Sequence, residues 1–370
     1  MPVPIATKTL FERKLRFALS TGGVALSIML ILILNGLSAG VADQVTAYLD
    51  NQTASLIVSQ KGLRNFLGAT SIIPSSTADP VREVPGVRSA VPVIVQYVVL
   101  DLPSRKEFSL LVGFDRRQGG GPWSMRQGTA DIAGDEAIFD AVVAGRHDIE
   151  AGDEVQVLGR EFKVAGLSGG TSSWMTGTFF VTFDAASELL ATRGNPSFLL
   201  VRLDSGASAS RVIRDIEAET GLTVTRKSVM NANDVKLYLD VFQGPVNLMV
   251  GIAFLIGVVL VGMTIYTATV ERAKQYGALK AIGIRNGRLY LIVLGQALIA
   301  SIAGFVLGVG LAFAVRALLG LVTPQFLIVF DYAAIARLSL VALAISLAAS
   351  YLPVRALAGI DPAIAFKRGV

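Results

Sequence analysis

Val270-Glu271-Arg272-Ala273-Lys274-Gln275-Tyr276-Gly277-Ala278-Leu279-Lys280-Ala281-Ile282-Gly283 reads as a short charged helix set between two long apolar runs. Working outward from it, four segments approach or exceed the roughly 20 apolar residues that cross a bilayer. They are Phe17 to Val41, Val246 to Thr269, Leu289 to Val315 and Ile335 to Leu352, the last being the shortest. The 370-residue chain has a mean hydropathy of +0.59 and 16% charged residues. It is too apolar for an ordinary water-soluble protein and too polar in its middle to lie wholly in a membrane.

The expected order is an amphipathic cytoplasmic helix over 1–16, a first span over 17–42 and an extracytoplasmic domain over 43–240. A second span over 241–269, the charged connection 270–288, a third span over 289–316 and an outer loop over 317–334 follow. A fourth span over 335–353 and a C-terminal cytoplasmic helix over 354–370 complete the chain. The first span is longer than the 7 to 15 apolar residues of a cleaved signal peptide, so it reads as a retained anchor.

The net charge of +5 could suggest nucleic acid, but its distribution excludes that reading. Residues 43–240 hold 19 Lys+Arg against 24 Asp+Glu. The excess of positive charge sits beside the spans: Lys8, Arg13, Lys14 and Arg16 before the first, Arg272, Lys274, Lys280, Arg285 and Arg288 between the second and third, and Arg355, Lys367 and Arg368 after the fourth. The loop from Gly320 to Tyr332 has no Lys or Arg. The positive-inside rule therefore predicts both termini and the charged connection on the cytoplasmic side.

Within 43–240, short β-branched or aromatic runs bounded by Gly, Pro and Asp predict strands at Leu56–Val58, Val93–Leu100, Phe108–Phe114, Val155–Val157, Phe162–Val164, Thr178–Phe183 and Phe198–Leu203. Helical spacing predicts helices over Asp184–Thr192 and Ala209–Thr220, the second ending at Gly221. The fold class expected is a membrane α-helical protein of four transmembrane helices, with a mixed α/β domain inserted between helices 1 and 2. His147, the one histidine, lies in the polar run Gly145-Arg146-His147-Asp148 and is expected in a surface loop.

If the second span continues as a helix beyond the bilayer, Glu271, Lys274 and Ala278 share one side, while Gln275, Leu279 and Ile282 form a neighbouring stripe. Gly277 and the run Gly283-Ile284-Arg285-Asn286-Gly287 then let the chain turn back into the third span. Glu271-Arg272 opening the segment and Leu279-Lys280-Ala281-Ile282-Gly283 closing it resemble the coupling segment of the FtsX-like permeases. These are the MacB-type membrane subunits of ABC systems. Gln275-Tyr276 departs from the acidic and aliphatic pair common there. A second resemblance lies in Leu352-Pro353-Val354-Arg355-Ala356-Leu357-Ala358-Gly359-Ile360-Asp361-Pro362-Ala363-Ile364-Ala365-Phe366-Lys367. Here Pro353 is expected to end or kink the fourth span and Asp361-Pro362 to start a short helix.

The resemblance implies a homodimer in a bacterial inner membrane, working with a dimer of separate ABC ATPase subunits that bind ATP. It assigns coupling to Glu271, Arg272, Lys274, Gln275, Tyr276, Gly277, Leu279, Lys280, Ile282 and Gly283. An outer adaptor or other partner protein is left open, with membrane lipids as surroundings. The sequence has no Gly-rich loop ending in Gly-Lys-Ser/Thr, no cysteine and too few histidines for a multi-histidine metal site, so no enzyme, cofactor or metal role is expected of the chain itself. Trp123, Met125, Trp174 and Met175, in glycine-rich surroundings, are candidate outer contacts, with plain hydrophobic packing as the alternative. Gly36-x-x-x-Gly40 and Gly304-x-x-x-Gly308 suit close helix packing within the chain or in a dimer. The spans hold almost no ionisable groups, which favours mechanical transmission over an ion path. Export of an amphipathic substrate is the first functional expectation. A non-transporting regulator of a cell-wall hydrolase or sensor, and a stand-alone receptor, are the alternatives.

Overall fold

The computed structural model describes residues 14–102, 106–173, 176–323 and 325–359. The expected helices at 1–16 and after Asp361 fall largely or wholly outside that set, as do Asp361, Pro362, Lys367, Trp174 and Met175. The chain divides into a helical unit, residues 1–39, 242–323 and 328–370, and an inserted unit, residues 40–241 with 324–327.

Each apolar run is part of a helix longer than the run itself. They are α1 (Lys14–Asp50, 37 residues), α6 (Lys227–Glu271, 45 residues), α8 (Asn286–Val322, 37 residues) and α9 (Tyr332–Ala358, 27 residues). At 1.5 Å per residue the longest of these measures about 68 Å, roughly twice a bilayer's hydrocarbon thickness. α6 carries Gly244-Pro245 inside it, where the missing proline N–H leaves the carbonyl one turn back without its helical donor.

In the helical unit, Val24 and Ile28 of α1, Val261 and Ile265 of α6, Ile292, Val293 and Ala297 of α8, and Ala342, Ile345 and Ala349 of α9 form one buried cluster. Small residues set the spacing. A Cβ added at Gly304 would lie 2.5 Å from Val24 Cβ, and one at Gly308 would lie 2.6 Å from the Ala25 carbonyl oxygen. That second small-residue motif is therefore filled by α1 of the same chain. At Gly36 the space is taken by Phe330 and Ile328. Arg316 lies over the Phe330 ring, and Arg337 is 3.9 Å from Asp331, so both of these arginines have partners near the α8–α9 connection.

Pro353 neither ends nor interrupts α9, which continues to Ala358 with the proline buried inside it. The cost of the missing N–H is tolerated because neighbouring helices surround the site, as is usual in membrane helices.

The inserted unit is built on a ten-stranded sheet. Its strands are β1 (Leu56–Ser59), β2 (Val87–Asp101), β3 (Lys106–Phe114), β4 (Met125–Gly128), β5 (Glu136–Asp140), β6 (Glu154–Val157), β7 (Arg160–Ser168), β8 (Gly177–Thr182), β9 (Phe198–Leu203) and β10 (Thr223–Arg226). The order is β10-β1-β9-β2-β3-β8-β5-β7-β4, with β6 on β7. β2 is the seam: residues 87–93 pair with β9, and residues 94–101 pair with β3. α2 (Ala78–Glu83) and α5 (Ala209–Thr220) cover the first half, and α3 (Ala141–Arg146) and α4 (Phe183–Leu189) belong to the second. α5 buries Val212 and Ile216 and stops at Gly221 in the left-handed region, as its sequence pattern requires.

Strands β4, β5 and β10 were not anticipated, and Phe183 opens a helix rather than closing a strand. His147 is likewise corrected. It follows α3 with its side chain wholly buried, 3.4 Å from Glu107, whose other oxygen takes Arg146 at 2.8 Å.

Candidate functional site: the coupling segment

α6 does not run on through the charged segment. It ends at Glu271, Arg272 leaves helical geometry, and a separate nine-residue helix follows, α7 (Ala273–Ala281). The expected stripe through Glu271, Lys274 and Ala278 is therefore divided between two helices. Arg272 still caps the new one, because its carbonyl accepts the Tyr276 N–H at 3.0 Å.

α7 is anchored along one face. Tyr276 and Gly277 are buried and Leu279 is half-buried; Tyr276 and Leu279 pack with the cluster that holds Leu289, Ile292 and Leu357. Burial pushes the Tyr276 hydroxyl pKa up, against the opposing pull of Arg272. Its exit is a Schellman turn. Gly283 N–H donates to the Lys280 carbonyl at 2.9 Å, and Ile284 N–H to that of Leu279 at 3.1 Å, with Gly283 at φ +95. Leu279 and Ile284 both pack against the bundle, the apolar contact that accompanies this turn.

Lys280 reaches across to the end of the fourth helix. Its Nζ donates to the carbonyls of Leu357 at 2.8 Å and Ala358 at 3.2 Å. These lie in the last turn of α9, where carbonyls lack helical donors and the dipole favours a cation. Arg355 sits in that same turn, so the two motifs quoted from the sequence are brought together at one end of the bundle.

The outward set is then Glu271, Lys274, Gln275, Ala281, Ile282 and Gly283, with Arg285 and Arg288 beside them. Ile282 is 81% exposed, the most exposed apolar side chain of the segment. Tyr276, one half of the departure from the family pattern, turns inward, and Gln275, the other half, turns outward. Chemically, the segment offers charges of both signs around one bare aliphatic side chain, a surface suited to a protein partner rather than to a small ligand.

In the inserted unit, Trp123 and Met125 are partly buried against the core, with Trp123 edge-on to Tyr48 at 6.3 Å. The glycine-rich stretch Gly119-Gly120-Gly121 runs beside them. Gly120 presents its carbonyl to the Tyr48 hydroxyl at 2.7 Å, and Gly121 presents its carbonyl to Gln52 Nε2 at 3.2 Å. Among the described residues no group of three or more His, Cys, Asp or Glu is arranged to hold a metal ion.

The MacB-like periplasmic core domain family matches residues 17–219, more than half of the chain, and the FtsX-like permease C-terminal family matches residues 247–362. An uncharacterised ABC transporter permease of Mycobacterium tuberculosis is 24% identical over 360 residues, covering 96% of each chain. The macrolide export ATP-binding/permease protein MacB of Rhodopseudomonas palustris is 30% identical over 144 residues, 38% of this chain and 22% of that one. Among solved structures, the periplasmic region of MacB from Actinobacillus actinomycetemcomitans aligns with 50% of this chain and 92% of its own, at 10% identity and TM-score 0.39.

Proposed function

Because the chain belongs to the MacB/FtsX-type ABC transporter permeases, we propose that it receives the motion of a separate ATPase dimer on the outward face of α7 and passes it to the inserted unit. The work done there is export of an amphipathic substrate. In this reading α7 and both termini lie in the cytoplasm of a bacterial inner-membrane protein, and the chain acts as a homodimer with no catalytic residues of its own.

The single observation that carries the reading is the build of α7. One face is stitched to α8 and α9 through Tyr276, Leu279 and Lys280, while Lys274, Gln275 and Ile282 stand free of the bundle. A plain connecting loop needs no such fixed inner face, whereas a lever needs one face held and the other available. Support for transmission also comes from α1 and α6, each an unbroken helix contributing residues to both units. The spans supply almost no ionisable groups for an ion path, in keeping with mechanical work.

The test is gentle purification of the full chain in parallel with the Glu271→Lys/Lys274→Glu variant, followed by mass spectrometry of what each retains. The expected result is an ATPase held by the parent and lost from the variant, with both proteins melting alike. No ATPase on the parent would overturn the proposal in favour of a stand-alone receptor. An ATPase together with a retained hydrolase or kinase, and no ATP-dependent efflux from cells, would replace export by regulation.

A further inference from the structure

We infer that the cleft beside Arg117 and Trp123 in the inserted unit is a binding site for a small amphipathic anion, a phosphate monoester or carboxylate carrying an apolar body. The cleft has a volume of about 710 Å³, within the range of small-molecule sites. Trp123 and Pro122 supply apolar wall, and Gln52, Arg116, Arg117 and Asp131 supply the polar groups.

Its wall is fixed rather than loose. Gly119 and Gly120 take φ of +108 and +88, a region that side chains oppose. A Cβ on Gly121 would come within 2.5 Å of the Phe114 ring, and one on Gly120 within 2.6 Å of Val93. The turn is thus pressed onto the sheet, with the Gly120 and Gly121 carbonyls held by Tyr48 of α1 and by Gln52 just beyond it. The edge-on contact with Tyr48 sets the indole beside it. A surface turn that only reverses the chain requires none of this, whereas a preformed binding wall does.

The charges are arranged unevenly. Arg116 is paired with Asp131. Asp115 uses its carboxylate on the Arg117 backbone N–H and the Gln118 side-chain amide, which together hold it below the ordinary carboxylate range. The Arg117 guanidinium makes no hydrogen bond or salt bridge to a described residue, and Asp115 attracts it through space alone. A guanidinium whose donors no described residue takes, a fixed indole and a cleft of this size define the ligand's chemistry: one negative head on an apolar body. The inference is independent of the ATPase reading, since it concerns binding alone.

The test uses the full chain in phosphatidylcholine nanodiscs with Trp174→Phe, which leaves Trp123 as the one tryptophan. Octyl phosphate should shift its emission saturably, octyl glucoside should not, and inorganic phosphate should bind far more weakly. Arg117→Ala should weaken octyl phosphate by about tenfold or more, Arg117→Lys by less, and Arg211→Ala, an exposed arginine on α5 outside the cleft, not at all. A response that octyl glucoside reproduces, or that Arg117→Ala leaves unchanged, overturns the proposal. Inorganic phosphate binding as tightly as octyl phosphate removes its amphipathic part. Nanodiscs doped with phosphatidic acid identify the source: abolition of the octyl phosphate response points to a lipid head, and its persistence points to a soluble amphipath.

Discussion

Replacing Lys280 by Met keeps the aliphatic stem and removes the ammonium that joins α7 to α9. Two charge-assisted bonds are lost, one at 2.8 Å to Leu357 and one at 3.2 Å to Ala358. A buried bond of this kind contributes about 1.5–3 kcal/mol. Lys280 is half-exposed and its second bond is long, so the pair together is expected to contribute about 1–2 kcal/mol, the helix-dipole attraction being part of the same interaction. That corresponds to a 5- to 30-fold change in the local opening equilibrium of α7. Hydrogen exchange on the full chain in nanodiscs reads it directly, at the Ile282, Gly283 and Ile284 amides that close the helix. The Met variant should exchange faster there by that factor, with β8 of the inserted unit unchanged, and Lys280→Arg should restore most of the protection. Unchanged exchange over 273–284, or an equal rise in β8, would refute the bracing role.

Gly308→Leu should lower the melting temperature of the solubilised protein by an overpacking cost of about 1–3 kcal/mol or more, because its Cβ meets the Ala25 carbonyl; Gly310→Leu, with open space around it, should be near neutral. Glu107→Leu should destabilise the inserted unit by about 2–4 kcal/mol, since it removes a carboxylate that a buried His147 and Arg146 share; loss of exchange protection in β3 and α3 would check this, and a fully protected variant would contradict it.

The spans were legible because a bilayer imposes one rule, some twenty apolar residues, that no tertiary contact is needed to satisfy. α5 was legible for a similar reason, as Val212, Ile216 and Gly221 carry its buried face and its stop locally. Strand β5 was not, since Glu136-Ala137-Ile138-Phe139-Asp140 is a strand only through β7 and β8 on its two sides. His147 is buried against Glu107, 40 residues away. At the charged segment the helical character and the Gly283 turn were written in the local sequence. The break at Arg272, the inward turn of Tyr276 and the reach of Lys280 to α9 were not, because each is decided by helices that pack against the segment.

The Lys280 brace also constrains how the protein is made. Its acceptors are 77 and 78 residues further along the chain, so α7 emerges from the ribosome before the helix end that holds it exists. Until the fourth helix has been made, α7 lacks this brace, and a chain cut short before Leu357 would hold α7 more loosely. A later-made helix thereby completes the hold on one made before it.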